Sequence, residues 1–182
     1  VENYKPRIDI DPEWEMVELG MVCKELTDGS HFSPETTDSG YPYITVKDLN
    51  EGTIDFTNSK RISQENYETL VRSGCKPKMN DVLFSKDGTV GKTALVKTDK
   101  EFVVLSSLAI LTPDTKTILP EFLYHILSTD WFISKAIENK TGVAIKRIVL
   151  KTLKTIKIPV PDFATQSRIV EIISDETNLI NS

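Results

Sequence analysis

Residues 81–93 read Asp81-Val82-Leu83-Phe84-Ser85-Lys86-Asp87-Gly88-Thr89-Val90-Gly91-Lys92-Thr93. The short apolar run at residues 82–84 is typical of a buried strand, and the glycines after it indicate a tight turn. Residues 91–96 then alternate as a second strand would. The stretch therefore predicts a hairpin whose tip carries Lys86, Asp87, Thr89 and Lys92. The two ammonium groups favour an anionic ligand, and the glycines beside them let a ligand approach the backbone closely. A plain surface hairpin with solvated lysines also fits these residue types.

The same stretch ends like a phosphate-binding P-loop, in Gly91-Lys92-Thr93. The full motif requires a glycine five positions before Gly91, where this sequence has Lys86. It also requires a helix after the loop, whose N-terminal amides point at phosphate, whereas a strand pattern follows here. Nucleotide hydrolysis is therefore disfavoured.

Length and composition are those of one soluble globular domain, with or without a small appendage. The chain has 182 residues, of which 39% are hydrophobic and 27% charged. No apolar run reaches membrane-spanning length, and no signal peptide is recognisable. The two cysteines, Cys23 and Cys75, lack metal-site spacing; reduced thiols would suit a cytoplasmic protein, and a disulfide between them stays open. Because Val1 is not a start methionine, we expect a piece of a longer chain.

Basic residues are concentrated in two blocks of an acidic chain whose net charge is −5. Residues 76–100 contain six lysines against three acidic residues, and residues 135–157 contain seven basic residues against one acidic residue. If the two blocks share a face, they form a phosphate-binding stripe. Otherwise each block is a solvated surface.

The pattern of short strands with few helices predicts an α+β domain with a mixed, mostly antiparallel sheet and packed helices. Residues 1–13 read as a linker or arm. Helices are predicted after the N-cap Ser63, from Pro120 and from Asp130. A last amphipathic helix is predicted over residues 165–180, with its apolar stripe still uncovered where the sequence stops.

Catalytic motifs are not supported by their contexts. His31 and His125 are far apart in the sequence, which disfavours a histidine metal site. A nuclease-like pattern can be traced through Pro113-Asp114 and Glu138-Asn139-Lys140, but its second half falls at the end of a predicted helix rather than on a strand. The glycine-rich cofactor loop and Asn-Pro-Pro run of an adenine methyltransferase do not occur.

An ordered series of short elements resembles the target recognition domain of type I restriction–modification DNA specificity subunits. The elements are Trp14…Leu19-Gly20, Asp28-Gly29-Ser30-His31, Gly40-Tyr41-Pro42-Tyr43-Ile44-Thr45, Asp48-Leu49, Gly52-Thr53-Ile54-Asp55, Ile62-Ser63, Asn80 to Lys92, and Ile156-Lys157-Ile158-Pro159-Val160-Pro161…Gln166…Ile169-Val170. Order and spacing carry the resemblance, which covers nearly the whole chain. Asn80 and Asp162 depart from the usual glycine and proline.

The resemblance implies a non-catalytic module that reads one half of a split DNA target. It implies a recognition domain over residues 14–161, followed over 162–182 by the start of a spacer helix. The partners implied are double-stranded DNA, an adenine methyltransferase subunit or domain and a restriction subunit, and no cofactor. The uncovered helix also allows pairing with a second copy. The parent chain is either a specificity subunit or a fused methyltransferase. A protein-interaction module without DNA affinity, or a metal-dependent nuclease, is the alternative.

We expect loops 27–40, 86–92 and 141–147 to converge on one DNA-contacting face. Lys86, Lys92, Lys146 and Arg147 are the candidates for phosphate or base-edge contacts, and an arginine can bind guanine through two hydrogen bonds. Hydrogen-bonding candidates are Ser30, His31, Thr89 and Thr141. For each residue the alternative is a solvated side chain, and for His31 it is a cap on the local turn.

Overall fold

A computed structural model describes residues 4–50, 52–138 and 147–182. The strands are β1 (Met16–Glu18), β2 (Cys23–Asp28), β3 (Thr36–Thr37), β4 (Tyr41–Ile44), β5 (Leu49–Asn50), β6 (Thr53–Ile54), β7 (Lys60–Ile62), β8 (Val82–Ser85), β9 (Thr93–Leu95), β10 (Val103–Val104), β11 (Leu108–Pro113) and β12 (Lys157–Pro159). The helices are α1 (Gln64–Arg72), α2 (Pro120–Ser128), α3 (Asp130–Ile137), α4 (Leu150–Thr155) and α5 (Phe163–Asn181).

The central sheet has the strand order β2-β11-β8-β9 and is antiparallel throughout. A second sheet has the order β10-β4-β7-β3, in which β10 and β4 are parallel. Two further pairs, β1 with β12 and β5 with β6, are antiparallel. The predicted α+β class with a mixed, mostly antiparallel sheet is therefore confirmed.

Strand β8 is buried on both faces, as its uninterrupted apolar sequence predicts. Successive side chains of a strand point to opposite faces. Val82 and Phe84 accordingly pack with helices α2 and α3 in one core cluster, while Leu83 joins a separate cluster beneath β4 and β10. Phe84 meets Phe132 of α3 edge to face, with ring centroids 5.5 Å apart. The hairpin that β8 begins is thus anchored in both cores.

The predicted hairpin is present, but its turn is not tight. β8 pairs with β9 from Val82↔Leu95 to Phe84↔Thr93, which leaves a seven-residue loop over 86–92. The second strand begins at Thr93 and not at Gly91. A second difference concerns residues 27 and 28, which the sequence places in loop 27–40. These residues extend β2 to Asp28, because they pair with β11, in which Ala109 lies opposite Asp28.

Helix boundaries follow their capping residues closely. Ser63 accepts a hydrogen bond from the Asn66 amide at 3.2 Å and caps α1, as predicted. The Asp162 carboxylate accepts a hydrogen bond from the Thr165 amide at 2.8 Å, so α5 begins at Phe163, two residues earlier than predicted. In the described part of the chain, no helix is both long enough and apolar enough to cross a membrane.

The segment before β1 lies against the domain instead of extending from it. The Tyr4 hydroxyl donates to a Glu176 carboxylate oxygen on α5, and Lys5 Nζ lies 2.8 Å from Asp130 Oδ1 at the start of α3. The first contact joins the two ends of the described chain, and the second ties the segment before β1 to the start of α3.

Candidate nucleic-acid interface

The hairpin loop 86–92 takes its shape from one buried serine. The Ser85 hydroxyl donates to the Thr89 carbonyl and accepts the Lys92 amide at 2.8 Å, while the Ser85 amide donates to the Lys92 carbonyl at 2.8 Å. Gly91 adopts φ +103°, and a Cβ there would lie 2.9 Å from Ile133 of α3. Since glycine alone combines this φ with so close a contact, the loop is held in one shape against α3.

Lys86 is buried, and its predicted position at an exposed tip is wrong. The residue is 4% exposed, and its Nζ lies 2.5 Å from Asp28 Oδ1. Its amide donates to the Ser107 carbonyl at 2.7 Å and its carbonyl accepts the Ile148 amide at 2.8 Å. The backbone of Lys86 is therefore hydrogen-bonded to other segments on both sides, and its ammonium group neutralises the Asp28 carboxylate beneath the surface.

The Asp28 carboxylate connects Lys86 to the surface. Its Oδ1 is buried and contacts Lys86 without the alignment of a hydrogen bond, while its Oδ2 lies 3.2 Å from His31 Nε2. The His31 side chain is 69% exposed. Both interpretations of His31 stay open, because the imidazole contacts a carboxylate three residues away across the turn and is also exposed to a ligand. Asp28 was not selected from the sequence, although it precedes the Gly29-Ser30-His31 turn directly.

Ser30 stabilises the turn, and the prediction that its hydroxyl is available to DNA is wrong. The residue is 4% exposed. Its Oγ donates to the Phe32 carbonyl at 2.6 Å and accepts the Phe32 amide at 3.1 Å. The Ser30 amide donates to the Val104 carbonyl at 2.8 Å. All of these bonds are internal, so the serine fixes the backbone that carries His31 and Phe32.

Arg147 lies beside the hairpin loop, as predicted, and its side chain is 63% exposed. Its Nε lies 3.8 Å from Asp87 Oδ2, and the two backbones form an isolated antiparallel bridge. Thr89 is exposed and Lys92 is half-buried at the other end of the loop. Two further predicted residues, Thr141 and Lys146, lie outside the described residues, and their predicted roles stay untested.

Part of the predicted convergence is observed: one end of loop 86–92 meets loop 27–40 and Arg147, the one described residue of loop 141–147. His31 contacts Asp28, Asp28 pairs with Lys86, and the neighbour of Lys86 pairs with Arg147. We name His31, Asp28, Lys86, Asp87 and Arg147 the polar cluster. It combines a buried ion pair with the exposed His31 imidazole, the exposed Arg147 guanidinium and the half-exposed Asp87 carboxylate. Imidazole and guanidinium are side-chain groups that can donate hydrogen bonds to phosphate oxygens or base edges.

The two basic blocks do not contribute equally to this surface. In the first block, Lys76, Lys78 and Lys97 form ion pairs with Glu101, Glu25 and Glu121, at 3.5, 3.7 and 2.9 Å. These glutamates lie outside the block, so its positive charge is largely neutralised. In the second block, Lys151 and Lys154 lie three residues apart on α4, and both are exposed. Lys151 lies on the first turn of α4, four residues after Arg147, whereas Lys154 lies near the end of α4 against Gly20.

A groove of about 890 Å³ lies on the other side of the hairpin loop. Thr89 and Lys92 line it together with Asn50, Tyr124, His125 and Ser128. Burial lowers the pKa of His125 to about 4, against an opposing effect of Glu121, so the imidazole is neutral near pH 7. Thr89 and Lys92 thus face a surface that is separate from the polar cluster.

The described residues offer little for catalysis. They contain no group of three or more His, Cys, Asp or Glu side chains placed to hold a metal ion. Burial, reinforced by Asp81, raises the pKa of the Cys23 thiol to about 12, so the reactive thiolate is scarce at neutral pH. Cys23 and Cys75 are both free thiols.

Comparison with known proteins points to a single family. The family model described as "Type I restriction modification DNA specificity domain" matches residues 12–182. The chain is 29% identical to the type I restriction enzyme EcoBI specificity subunit of Escherichia coli over 173 residues, covering 93% of this chain and 36% of that subunit. It is 28% identical over 155 residues to the EcoR124I/EcoR124II specificity subunit of the same organism, covering 78% of this chain and 34% of that subunit.

Two solved structures share the fold. One is a chain from a study of complex assembly and conformational transition in the type I R-M system, with a TM-score of 0.65, 23% identity and coverage of 97% of this chain and 41% of that chain. The other is the HsdS subunit from Thermoanaerobacter tengcongensis, with a TM-score of 0.63, 23% identity and coverage of 97% and 40%. The chain thus spans less than half the length of the proteins that it matches.

Proposed function

Since the chain belongs to the type I restriction modification DNA specificity domain family, we propose that it reads one half of a split DNA target. The family is one of specificity domains and not of catalytic ones, as the resemblance implied. In this proposal the module works in the cytoplasm and positions an adenine methyltransferase subunit, with its restriction subunit, on the DNA. The base that the partner methylates has to leave the helical stack. A rigid recognition module favours this step by fixing the position of the complex along the duplex.

The observation that carries the proposal is the polar cluster. Three chain segments that are distant in sequence meet there through His31, the Asp28–Lys86 ion pair and Arg147. Each exposed group is held by a carboxylate, which reduces the entropy lost when the side chain binds a ligand. Phosphate contacts fix the register of a protein on a duplex, and base-edge contacts specify the sequence. Arg147 can make either contact.

Salt-dependent binding tests the proposal. We expect the 182-residue chain to bind a random-sequence 30-base-pair duplex with an affinity that falls as salt rises, because phosphate contacts release counterions. Arg147→Ala should weaken binding and reduce the slope of log K against log salt by about 1. Lys151→Ala, on the first turn of α4, should have a similar effect if the start of this helix follows the DNA backbone.

Lys116→Ala is the matched control, because it also removes one exposed positive charge. Lys116 lies beyond the end of β11 at Pro113, whereas the polar cluster adjoins the opposite end, where Ala109 pairs with Asp28. We expect its slope and affinity to equal those of the wild type. Equal losses for Lys116→Ala and Arg147→Ala would refute a localised interface.

We also propose that the partner subunits bind along α5. The arrangement of α5 supports this, because Ile172 and Leu179 are exposed, at 47% and 77%, one heptad apart on one helix face. The same stripe could pair with a second copy of the chain. Leu179→Glu should lower the affinity for a methyltransferase subunit in a pull-down experiment and leave duplex binding intact. Assembly without any affinity for DNA would favour the alternative, a pure interaction module.

A further inference from the structure

Phe32 is an exposed aromatic side chain beside the polar cluster. Four of the seven phenylalanines, Phe84, Phe102, Phe122 and Phe132, are at most 1% exposed, whereas Phe32 is 60% exposed. It is also the most exposed phenylalanine of the chain. Contact of a ring of this size with water is unfavourable relative to its burial. The folded domain therefore gains nothing from this placement of the ring.

The backbone beneath the ring is held unusually well. The amide of Phe32 donates to Ser30 Oγ at 3.1 Å, and its carbonyl accepts hydrogen bonds from Ser30 Oγ at 2.6 Å and from the Tyr43 hydroxyl at 3.4 Å. Both polar groups of the residue are thus occupied by buried or half-buried partners. In an exposed loop, the backbone amide and carbonyl of a residue ordinarily form hydrogen bonds with water.

The turn that carries Phe32 is itself packed onto the core. A Cβ on Gly29 would lie 2.3 Å from the Leu105 carbonyl oxygen, so the turn can approach β10 this closely only with glycine. The Ser106 amide donates to the Ser30 carbonyl at 2.8 Å, and Pro34 is buried on the far side of the turn. The ring consequently projects from a rigid base. A group ordered in advance loses little entropy on binding.

The neighbours of the ring define the chemistry of its ligand. His31 precedes it, and the imidazole is tied through Asp28 to Lys86. A ligand at this point has to offer hydrogen-bonding groups for the imidazole and an apolar surface for the ring. A nucleobase has both, in its polar edges and in its flat face or thymine methyl group.

We propose that Phe32 packs against the apolar surface of a nucleobase in bound DNA and so contributes to sequence selection. The inference rests on the proposed function and deepens it. It assigns two roles to two sides of the interface: Arg147 and α4 hold the backbone, and the Phe32 turn reads a base. Contact of the ring with a thymine methyl group distinguishes this base from the others, and it adds little salt dependence because it displaces no counterions.

The test is selection from a library of randomised 30-base-pair duplexes. The wild-type chain selects a sequence, and the affinity ratio between the selected and a scrambled duplex is then measured for each variant. We expect Phe32→Ala to lower this ratio at least about fivefold, since one lost base contact costs about 1–3 kcal/mol. Phe32→Leu, which keeps apolar bulk, should retain an intermediate ratio.

Met21→Ala is the matched control, because Met21 is 72% exposed and lies outside the polar cluster. Its ratio should equal that of the wild type. An unchanged ratio for Phe32→Ala would overturn the proposal. So would a fall in its melting temperature beyond that of Met21→Ala, because the ring would then serve the fold.

If the wild-type chain binds duplexes but selects none, the base contact is refuted while the phosphate contacts stand. If the wild type binds no duplex at all, the proposed function itself fails, and the inference about Phe32 fails with it. The two failures are distinguished by the wild-type affinity at low salt.

Discussion

Removal of the Lys86 ammonium tests how the polar cluster is held together. Lys86→Met keeps an unbranched, flexible side chain of similar length in the same buried site and deletes the charge. Asp28 Oδ1 then stays buried without its cation, while Oδ2 keeps its contact with His31 at 3.2 Å. We expect the variant to fold and to be markedly less stable.

The magnitude follows from the environment of the pair. Removing one partner of a buried ion pair costs about 3–5 kcal/mol of unfolding free energy. The Asp28 side chain is 19% exposed and retains His31, so solvent relieves part of this cost. We expect a loss of about 2–3 kcal/mol, which corresponds to a fall of roughly 5–10 °C in melting temperature for a chain of this size.

Chemical denaturation of three variants measures the effect. Lys92→Met deletes the same charge at the other end of the same loop, where the side chain is half-buried, and should cost about 0.5 kcal/mol or less. Combining Lys86→Met with Asp28→Asn removes both charges and should recover at least about 1 kcal/mol relative to Lys86→Met alone. A Lys86→Met variant within about 0.5 kcal/mol of the wild type, or a double variant that recovers nothing, would refute the reasoning.

Three further substitutions address the loop, the groove and the last helix. Gly91→Ala should lose about 1–3 kcal/mol of stability, because φ +103° is strained for alanine and its Cβ would meet Ile133 at 2.9 Å; denaturation of the variant measures this. The pKa of His125 is lowered from 6.5 to about 4 in the folded chain, so the unfolded chain takes up this proton at a higher pH than the folded chain does. The free energy of unfolding therefore decreases as pH falls from about 6.5 to 4. His125→Gln should flatten this part of the stability–pH curve, and an unchanged slope would contradict it. Gln166 is fully buried and bonds the Leu119 amide at 2.8 Å and two carbonyls, so Gln166→Leu should cost about 2–4 kcal/mol in the same assay.

Features set by neighbouring residues were predictable from the sequence. The strand at Val82–Ser85, the cap at Ser63 and the start of α2 at Pro120 each depend on local sequence, and all three are observed. The expected convergence of the three loops is seen for His31, Lys86, Asp87 and Arg147, and it stays a prediction for the rest of loop 141–147. The domain division at residues 13 and 161 stays a prediction.

The role of each side chain within the cluster was less predictable. Lysine and serine beside a glycine turn are usually solvated, so Lys86 and Ser30 were placed at the surface. Their burial depends on partners that are distant in sequence, namely Asp28, Ser107 and Val104. The neutralisation of Lys97 by Glu121 depends in the same way on the packing of α2. Local patterns carry no information about such pairs.

The most direct test of the central claim is the preference of the wild-type chain for one DNA sequence over another. The affinity for a duplex selected from a randomised library is compared with that for a scrambled duplex at about 0.15 M salt, where nonspecific contacts are weakened. The account predicts a preference of at least about tenfold, and one that diminishes in Phe32→Ala. Equal affinity for the two duplexes, together with self-association through α5, would contradict it.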